Sequence, residues 1–338
     1  MNAVIERLPI LVLDVYRRCN CRCIMCDIWK RDTAGELSPD ELLRHLPAIE
    51  RLGVEWVVLT GGEPLMHFGL FRIAAALRER RIRITLLTTG LLLGRFAEEV
   101  VRTIDDVIVS LDGPPQIQDQ IRRVSAAFER LRAGIAALHH HKPDFPVSAR
   151  ATVQKANCDC LIQTVETARE LQLDSISFLA ADTHSAAFDH HPTTLNANSI
   201  RLGETDIERL RLQIEALISS GECGRFITET PEKLRRIVDH ARWSIGIGEP
   251  VAPRCNAPWV SAVLDSKGAV RPCFFHSPIG RISAADELDR VLNGPEAIAF
   301  RTSLDIATHP VCRRCVCSLH RSPGTTGSDR GRAALRAF

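Results

Sequence analysis

Over the first two thirds of the chain, short apolar runs alternate with longer stretches whose apolar positions recur every three to four residues. The short runs, at 10–15, 54–60, 82–88, 107–111, 147–153 and 175–179, predict strands; the longer ones, at 39–52, 68–80, 95–102, 126–139 and 161–171, predict amphipathic helices. Alternation of this kind implies parallel strands joined by right-handed crossovers. Runs such as Val57-Val58-Leu59-Thr60 suit strands covered by helices. Six βα units fall short of a closed eight-strand barrel. The expected fold is therefore α/β, a partial (β/α)6 TIM-like barrel, with its reactive groups at the carboxyl ends of the strands.

The pattern changes twice beyond that point. Residues 180–201 lack periodicity and read as a loop, and helical patterns resume at 204–220 and 231–243. From 250 onward, apolar runs at 260–264 and 269–271 flank Asp265-Ser266-Lys267-Gly268, a hairpin signal, and a helix is predicted at 284–292. The expected organisation is a core over 1–201, a helical linker over 202–249, a small β-hairpin/helix domain over 250–321 and a disordered tail over 322–338. No internal repeat is evident.

Composition narrows the function classes. The chain has 338 residues, 45% of them hydrophobic and 25% charged, the balance of a soluble globular protein. A formal net charge of +2 and only 5% aromatics supply few stacking platforms, so no nucleic-acid partner is expected, and the basic cluster Arg78, Arg80, Arg81 and Arg83 reads as a solvated helix end. No apolar run approaches the roughly 18 residues a membrane span needs. Residues 1–9 lack a signal-peptide core, so a cytoplasmic location is expected, where thiols stay reduced. In that setting 12 cysteines suggest metal rather than disulfides. Four fall between Cys19 and Cys26 and five between Cys255 and Cys317, which suggests two metal centres.

Cys19, Cys23 and Cys26, spaced Cys-x3-Cys-x2-Cys, follow the first predicted strand. Three thiolates on one short loop can hold three irons of a cubane and leave the fourth open to a small chelator. A closed zinc site is the alternative, with Cys21 or Asp27 as fourth ligand. Gly61-Gly62-Glu63-Pro64 ends the second strand, where glycines allow close backbone approach and Glu63 offers a carboxylate. Ser110-Leu111-Asp112-Gly113 ends the fourth.

Together these motifs resemble the radical S-adenosylmethionine (SAM) superfamily over roughly residues 8–180. The resemblance implies that Cys19, Cys23 and Cys26 ligate a [4Fe–4S] cluster whose open iron chelates SAM. Gly61, Gly62 and Glu63 would then hold the SAM amino group, Ser110 and Asp112 its ribose, and Arg150 and Leu179 its carboxylate and adenine. Thr88-Thr89-Gly90 departs from the polar-Asn-Gly of many relatives, and Met25 replaces an aromatic residue. Reductive cleavage of SAM to a 5′-deoxyadenosyl radical that abstracts a substrate hydrogen is the implied chemistry.

Towards the C-terminus, Cys255, Gly268 and Cys273 match the Cys-x9–15-Gly-x4-Cys signature of the SPASM/twitch auxiliary-cluster domains, followed by Cys312, Cys315 and Cys317. Read from the residues alone, zinc and iron–sulfur stand equal here. The resemblance implies one auxiliary [4Fe–4S] cluster on Cys255, Cys273, Cys312 and Cys315, with Cys317 as spare or substitute. Full cysteine ligation implies an electron-transfer role, hence an oxidoreductase performing a small-molecule dehydrogenation or related modification. A peptide-modifying enzyme and a non-catalytic zinc-binding regulator are the alternatives. The chain begins almost at its first strand, which is read against a peptide-recognition domain. A small-molecule or peptide substrate and a flavodoxin- or ferredoxin-type electron donor are the expected partners. Asp182 and His184, beyond the sixth strand, are the candidates for substrate contact or proton transfer. Cys158 and Cys160 read as buried or free thiols, His139-His140-His141 as a solvated helix end, His190-His191 as linker residues, and Asp119 with Arg122 as a helix-surface pair.

Overall fold

Six strands run in parallel and pair in sequence order: β1 (Ile10–Tyr16), β2 (Trp56–Gly61), β3 (Arg83–Thr88), β4 (Asp106–Ser110), β5 (Val147–Val153) and β6 (Ser175–Ala180). The structure, a computed structural model, describes residues 2–30, 38–185, 187–188, 197–282 and 287–322. His190 and His191, the tail beyond Ser322 and the first residues of the helix expected at 284–292 lie outside the described residues. The crossovers carry α1 (Pro39–Leu43), α2 (Leu46–Arg51), α3 (Leu70–Arg78), α4 (Leu93–Thr103), α5 (Pro115–Arg122), α6 (Ala127–His141) and α7 (Leu161–Glu170). Then follow α8 (Ala197–Ile200), α9 (Glu204–Ser219) and α10 (Pro231–Ser244). This is the expected partial barrel.

The period of two along each strand divides the layers. Leu11, Leu13, Val57, Leu59, Ile84, Leu86, Val107 and Val109 face outward and pack on helix residues such as Ile49, Ile73, Leu77, Val100 and Leu131. Ile10, Val12, Trp56 and Val58 face inward and form a second cluster with Ala257, Val263 and Leu319, against which Cys255 and Cys273 pack. The inner face is otherwise polar. Trp56 Nε1 donates to Thr85 Oγ1 at 2.8 Å, Thr85 Oγ1 donates to Asp106 Oδ1 at 2.9 Å, and Arg83 pairs with Asp106 at 2.7 Å. Of the basic cluster, Arg78, Arg80 and Arg83 are neutralised by Asp105, Glu50 and Asp106.

Two local differences have physical causes. The helix expected at 39–52 is split, because Pro47 enters the first turn of α2 and cannot donate into a continuous ladder. The unexpected α5 opens on Pro115 and buries Gln118, Ile121 and Arg122, so its buried side reads as polar in sequence.

The expected C-terminal hairpin forms from β7 (Ser261–Asp265) and β8 (Ala269–Arg271), with β9 (Gly280–Arg281) beside it. It joins the core sheet, because β7 pairs in parallel with β1 from Ile10↔Ser261 to Asp14↔Asp265. A nine-stranded sheet results, in the order β6-β5-β4-β3-β2-β1-β7-β8-β9. Around the hairpin lie α11 (Ala257–Val260), α12 (Leu288–Leu292), α13 (Pro295–Ser303) and α14 (Pro310–Arg313). Burying each large apolar side chain contributes ~1.5–3 kcal/mol. The four inward residues of β1 and β2 together therefore approach a domain's whole stability, ~5–15 kcal/mol. A chain truncated after residue 249 uncovers them and is expected to lose cooperative unfolding; circular dichroism melts of the two lengths provide the check.

Candidate functional site

Cys19, Cys23 and Cys26 occupy the loop that leaves the carboxyl end of β1. On one side the Gly62 N–H donates to Tyr16 O at 2.7 Å and the Glu63 N–H to Arg18 O at 2.8 Å. Glycine is required there, since a Cβ on Gly62 would stand 2.1 Å from Arg18 O. On the other side the Arg22 N–H donates to Arg122 O at 3.2 Å and the Ile24 N–H to Ile121 O at 3.1 Å, fastening the loop to α5. Cys21, Cys23 and Met25 pack with Leu91, Ile121, Ala127, Ala181 and Ile200 in an apolar nest.

Two fully buried carboxylates border this loop. Glu63 accepts from the Leu65 N–H at 3.0 Å and the Thr89 N–H at 2.8 Å, and lies 2.6 Å from Thr89 Oγ1 and 2.8 Å from Thr88 Oγ1. Burial raises its pKa, and these bonds oppose the rise. The side chain expected at a ligand's amino group thus ties β2 to the end of β3. Thr88 and Thr89, the departures in sequence, are its partners. Asp112 Oδ1 accepts from the Thr152 N–H at 2.8 Å, and Oδ2 lies 2.5 Å from Arg122 Nη2. Burial raises its pKa and Arg122 counters that effect. Arg122 Nη1 in turn donates to Cys23 Sγ at 3.5 Å. Cys23 is brought down to about 7: the hydrogen bond with Cys21 lowers it most, burial opposes, and Arg122 lowers it further. Thiolate is the ligating form.

The surface pair expected of Asp119 and Arg122 does not form. Arg122 is buried against Asp112 and Cys23, while Asp119 accepts from the Phe128 N–H at 2.8 Å. Ser110 ends β4, and its carbonyl accepts from Gln118 Nε2 at 2.9 Å.

The C-terminal cysteines converge near the barrel interior. Cys255 and Cys273 precede β7 and follow β8, and the Cys255 thiol interacts electrostatically with Cys273, Cys312, Cys315 and Cys317. Burial raises Cys317, and Arg150, Lys233 and Arg236 oppose it. Arg150 Nε donates to Ser177 Oγ at 3.2 Å, and its charge faces Cys317 and Glu229. Between the end of β6 and these cysteines lies a cavity lined by Leu179, Glu229, Lys233, Arg236, His240 and Cys317, among others.

A family model described as the radical SAM superfamily matches residues 13–168, and one described as an iron–sulfur cluster-binding domain, SPASM, matches 255–316. The chain carries a radical SAM domain and a C-terminal SPASM domain. A radical SAM domain indicates an enzyme; it implies a [4Fe–4S] cluster and SAM, and the second domain implies auxiliary iron–sulfur. An AdoMet-dependent heme synthase of Methanosarcina barkeri (strain Fusaro / DSM 804) is 35% identical over 176 residues, 51% of this chain and 50% of that protein. The chain spans half or less of the curated relatives it matches. In structure it is similar to Streptococcus suis SuiB bound to S-adenosylmethionine, with a TM-score of 0.68 at 16% identity over 93% of this chain and 73% of SuiB. It is also similar to anSMEcpe bound to AdoMet and the Cp18Cys peptide, with a TM-score of 0.65 at 16% identity, 91% of this chain and 86% of the other. At these identities the likeness is one of fold.

The N-terminal site of the radical SAM domain suits its cofactors on its own geometry. One loop presents the three thiols, and among the described residues they form no tight ligand trio of the kind a mononuclear ion needs. Asn20 Nδ2, on the same loop, is buried without a partner and so offers a donor to a polar ligand. Asp182 is buried just beyond β6, where its carboxylate accepts from the His184 and Ser185 N–H groups at 3.0 and 3.2 Å and from the Ser185 hydroxyl. His184 is exposed and lies tilted against Trp243, with ring centroids 4.5 Å apart. Cys158 and Cys160 are buried, with thiols pushed up to about 12 and 11 by burial, the inert reading expected of them. Among the described residues no helix is long and apolar enough to cross a membrane.

Sequence reasoning missed Glu229 and His240. Burial raises the Glu229 carboxyl to about 7, against hydrogen bonds from the Phe178 N–H and Thr228. Burial also lowers His240 to about 4, and its Nε2 has no partner among the described residues. Neither carries a motif; only the packing of α10 against β6 identifies them.

Arg122→Met leaves the Asp112 charge buried and unpaired and is expected to cost ~3–5 kcal/mol in urea unfolding, most of it recovered in Arg122→Met/Asp112→Leu. Glu229 and His240 tilt stability with pH in opposite senses. Glu229 has a folded pKa above its ordinary 4.5, so it contributes stability below pH 4.5 that is lost as pH rises through about 7. His240 has a folded pKa below its ordinary 6.5, so its contribution is present above pH 6.5 and lost as pH falls through about 4. Thermal midpoints of Glu229→Gln relative to the parent are therefore expected to rise from pH 4.5 to 7. Those of His240→Phe are expected to rise, relative to the parent, as pH falls from 6.5 to 4.

Proposed function

We propose that the chain oxidises a small, anionic molecule by hydrogen abstraction followed by transfer of one electron to the auxiliary centre. When bound, its cofactors supply reductive cleavage of SAM to a 5′-deoxyadenosyl radical and a one-electron sink. Cys19, Cys23 and Cys26 would hold the first cluster, the segment Gly61–Glu63 and Ser110 would face SAM, and the C-terminal thiols would hold the auxiliary centre.

The observation that carries this reading is the cavity between β6 and the C-terminal cysteines. It is lined by charged side chains of both signs, Glu229, Lys233 and Arg236. Lys233 and Arg236 give it positive charge, suited to a carboxylate-bearing substrate, and Cys317 stands on its wall. A two-electron oxidation removes one hydrogen atom, one electron and one proton from the substrate. Glu229, on the same wall with a pKa of about 7, is suited to accept the proton. Arg150, facing both Glu229 and Cys317, balances charge as the electron moves. The relatives named above include a heme synthase, and SuiB has been solved with its precursor peptide SuiA. The reductant in this reading is a flavodoxin- or ferredoxin-type protein in the cytoplasm.

Anaerobic reconstitution with SAM and dithionite is the test, read by 5′-deoxyadenosine in liquid chromatography. Joint replacement of Cys19, Cys23 and Cys26 by Ala is expected to abolish it. Replacement of Cys255 and Cys273 is expected to spare uncoupled cleavage and stop product. Unchanged 5′-deoxyadenosine from the triple variant would overturn the proposal.

A further inference from the structure

We propose that Asn20, rather than Glu63, is the side chain that holds the amino group of SAM, as the outer member of a hydrogen-bonded chain Glu63–Thr89–Asn20. This assignment rests on the SAM that the first domain implies and stands apart from the reading of substrate and reaction given above.

The count of donors around Glu63 decides against that residue. An ionised carboxylate has room for about four donors. Glu63 is fully buried and already faces four, the Leu65 and Thr89 N–H groups at 3.0 and 2.8 Å and the Thr88 and Thr89 hydroxyls at 2.8 and 2.6 Å. Thr88 Oγ1 also accepts from the Gly90 N–H at 3.1 Å, so its own proton is left for Glu63. The ends of β2 and β3 thus take both carboxylate oxygens, and no lone pair remains for a ligand.

Thr89 carries the arrangement outward. Its hydroxyl has a single proton and lies 2.6 Å from Glu63 Oε2 and 3.0 Å from Asn20 Oδ1. The nearer, charged oxygen takes that proton, and Thr89 Oγ1 offers Asn20 only a lone pair. Asn20 meets it by a half-turn of its amide, which brings Nδ2 to Thr89. Oδ1 then occupies the place where Nδ2 otherwise lies buried with no partner among the described residues. A buried acceptor with nothing donating to it is left on the cysteine loop.

Its position suits the ligand. Cys19 Sγ accepts from the Cys21 N–H at 3.4 Å, closing a tight turn with Asn20 at its centre, so the amide stands beside the first thiol. The amino group of SAM keeps two N–H donors when its lone pair goes to iron, and a neutral amide oxygen meets one of them. Gly61 and Gly62 are left to face SAM through their backbone.

The test is equilibrium dialysis of the full chain, reconstituted anaerobically with iron and sulfide, against SAM and against its analogue with hydrogen in place of the amino group. The parent is expected to prefer SAM. Asn20→Ala is expected to narrow that preference about tenfold, the worth of one buried hydrogen bond, with iron content unchanged. A role confined to shaping the loop would weaken both ligands alike, and an unmoved ratio in a chain that binds SAM would overturn this assignment alone. Thr89→Val is expected to reproduce the narrowing, Thr89→Ser to restore the parent ratio, and Asn20→Ala/Thr89→Val to go no further than either single change. Factors that multiply in the double variant would also overturn it. Were Asn20→Ala to lose its iron, the two Thr89 variants make the same decision from outside the loop. A parent chain that takes up no SAM would overturn this assignment and the SAM reading together.

Discussion

Two carboxylates with no access to water hold the rim of this sheet together. A buried charge is tolerated only when it is paired or hydrogen-bonded; Glu63 is held by hydrogen bonds and Asp112 by one hydrogen bond and an ion pair, across chain segments far apart in sequence. Glu63 draws the ends of β2 and β3 together through Thr88 and Thr89. Asp112 draws β4, β5 and α5 together through Thr152 and Arg122. Because Arg122 then reaches Cys23, the position of the cysteine loop depends on the same charge pair. Polar residues at these strand ends that look like ligand contacts in sequence are in good part the means of placing the loop that carries the ligands.

The two cysteine groups occupy opposite ends of one strand. Cys19 to Cys26 follow the carboxyl end of β1, and Cys255 and Cys273 pack near its amino end against Ile10 and Trp56. Seven residues at about 3.3 Å each make that interval roughly 20 Å. Inward-facing polar groups lie between them, and the cations Arg150, Lys233 and Arg236 collect next to Cys317.

Much of this was legible in the sequence, for reasons that can be named. All six core strands were, because each is a short run with apolar residues on at least one face, and β2, β3 and β4 end at Gly61, Thr88 and Ser110. The cysteine spacings located both metal regions. The pairing of β7 with β1 was not, since nothing local in Ser261–Asp265 marks which edge it joins. The buried side of α5 was hidden by Gln118 and Arg122, whose burial only a partner such as Asp112 permits. Glu229 and His240 were invisible because their protonation is set by neighbours on other elements.

The union of the first strand with the seventh also governs the order of events during synthesis. Ile10 must wait for Ser261, some 250 residues later, before its second edge is covered. At about 5–20 residues per second, that delay is roughly 10–50 s on the ribosome. Throughout it, the strand leading to the N-terminal cysteines presents an open edge, of the kind that pairs with foreign chains. The last quarter of the polypeptide thus completes the sheet that its first residues began.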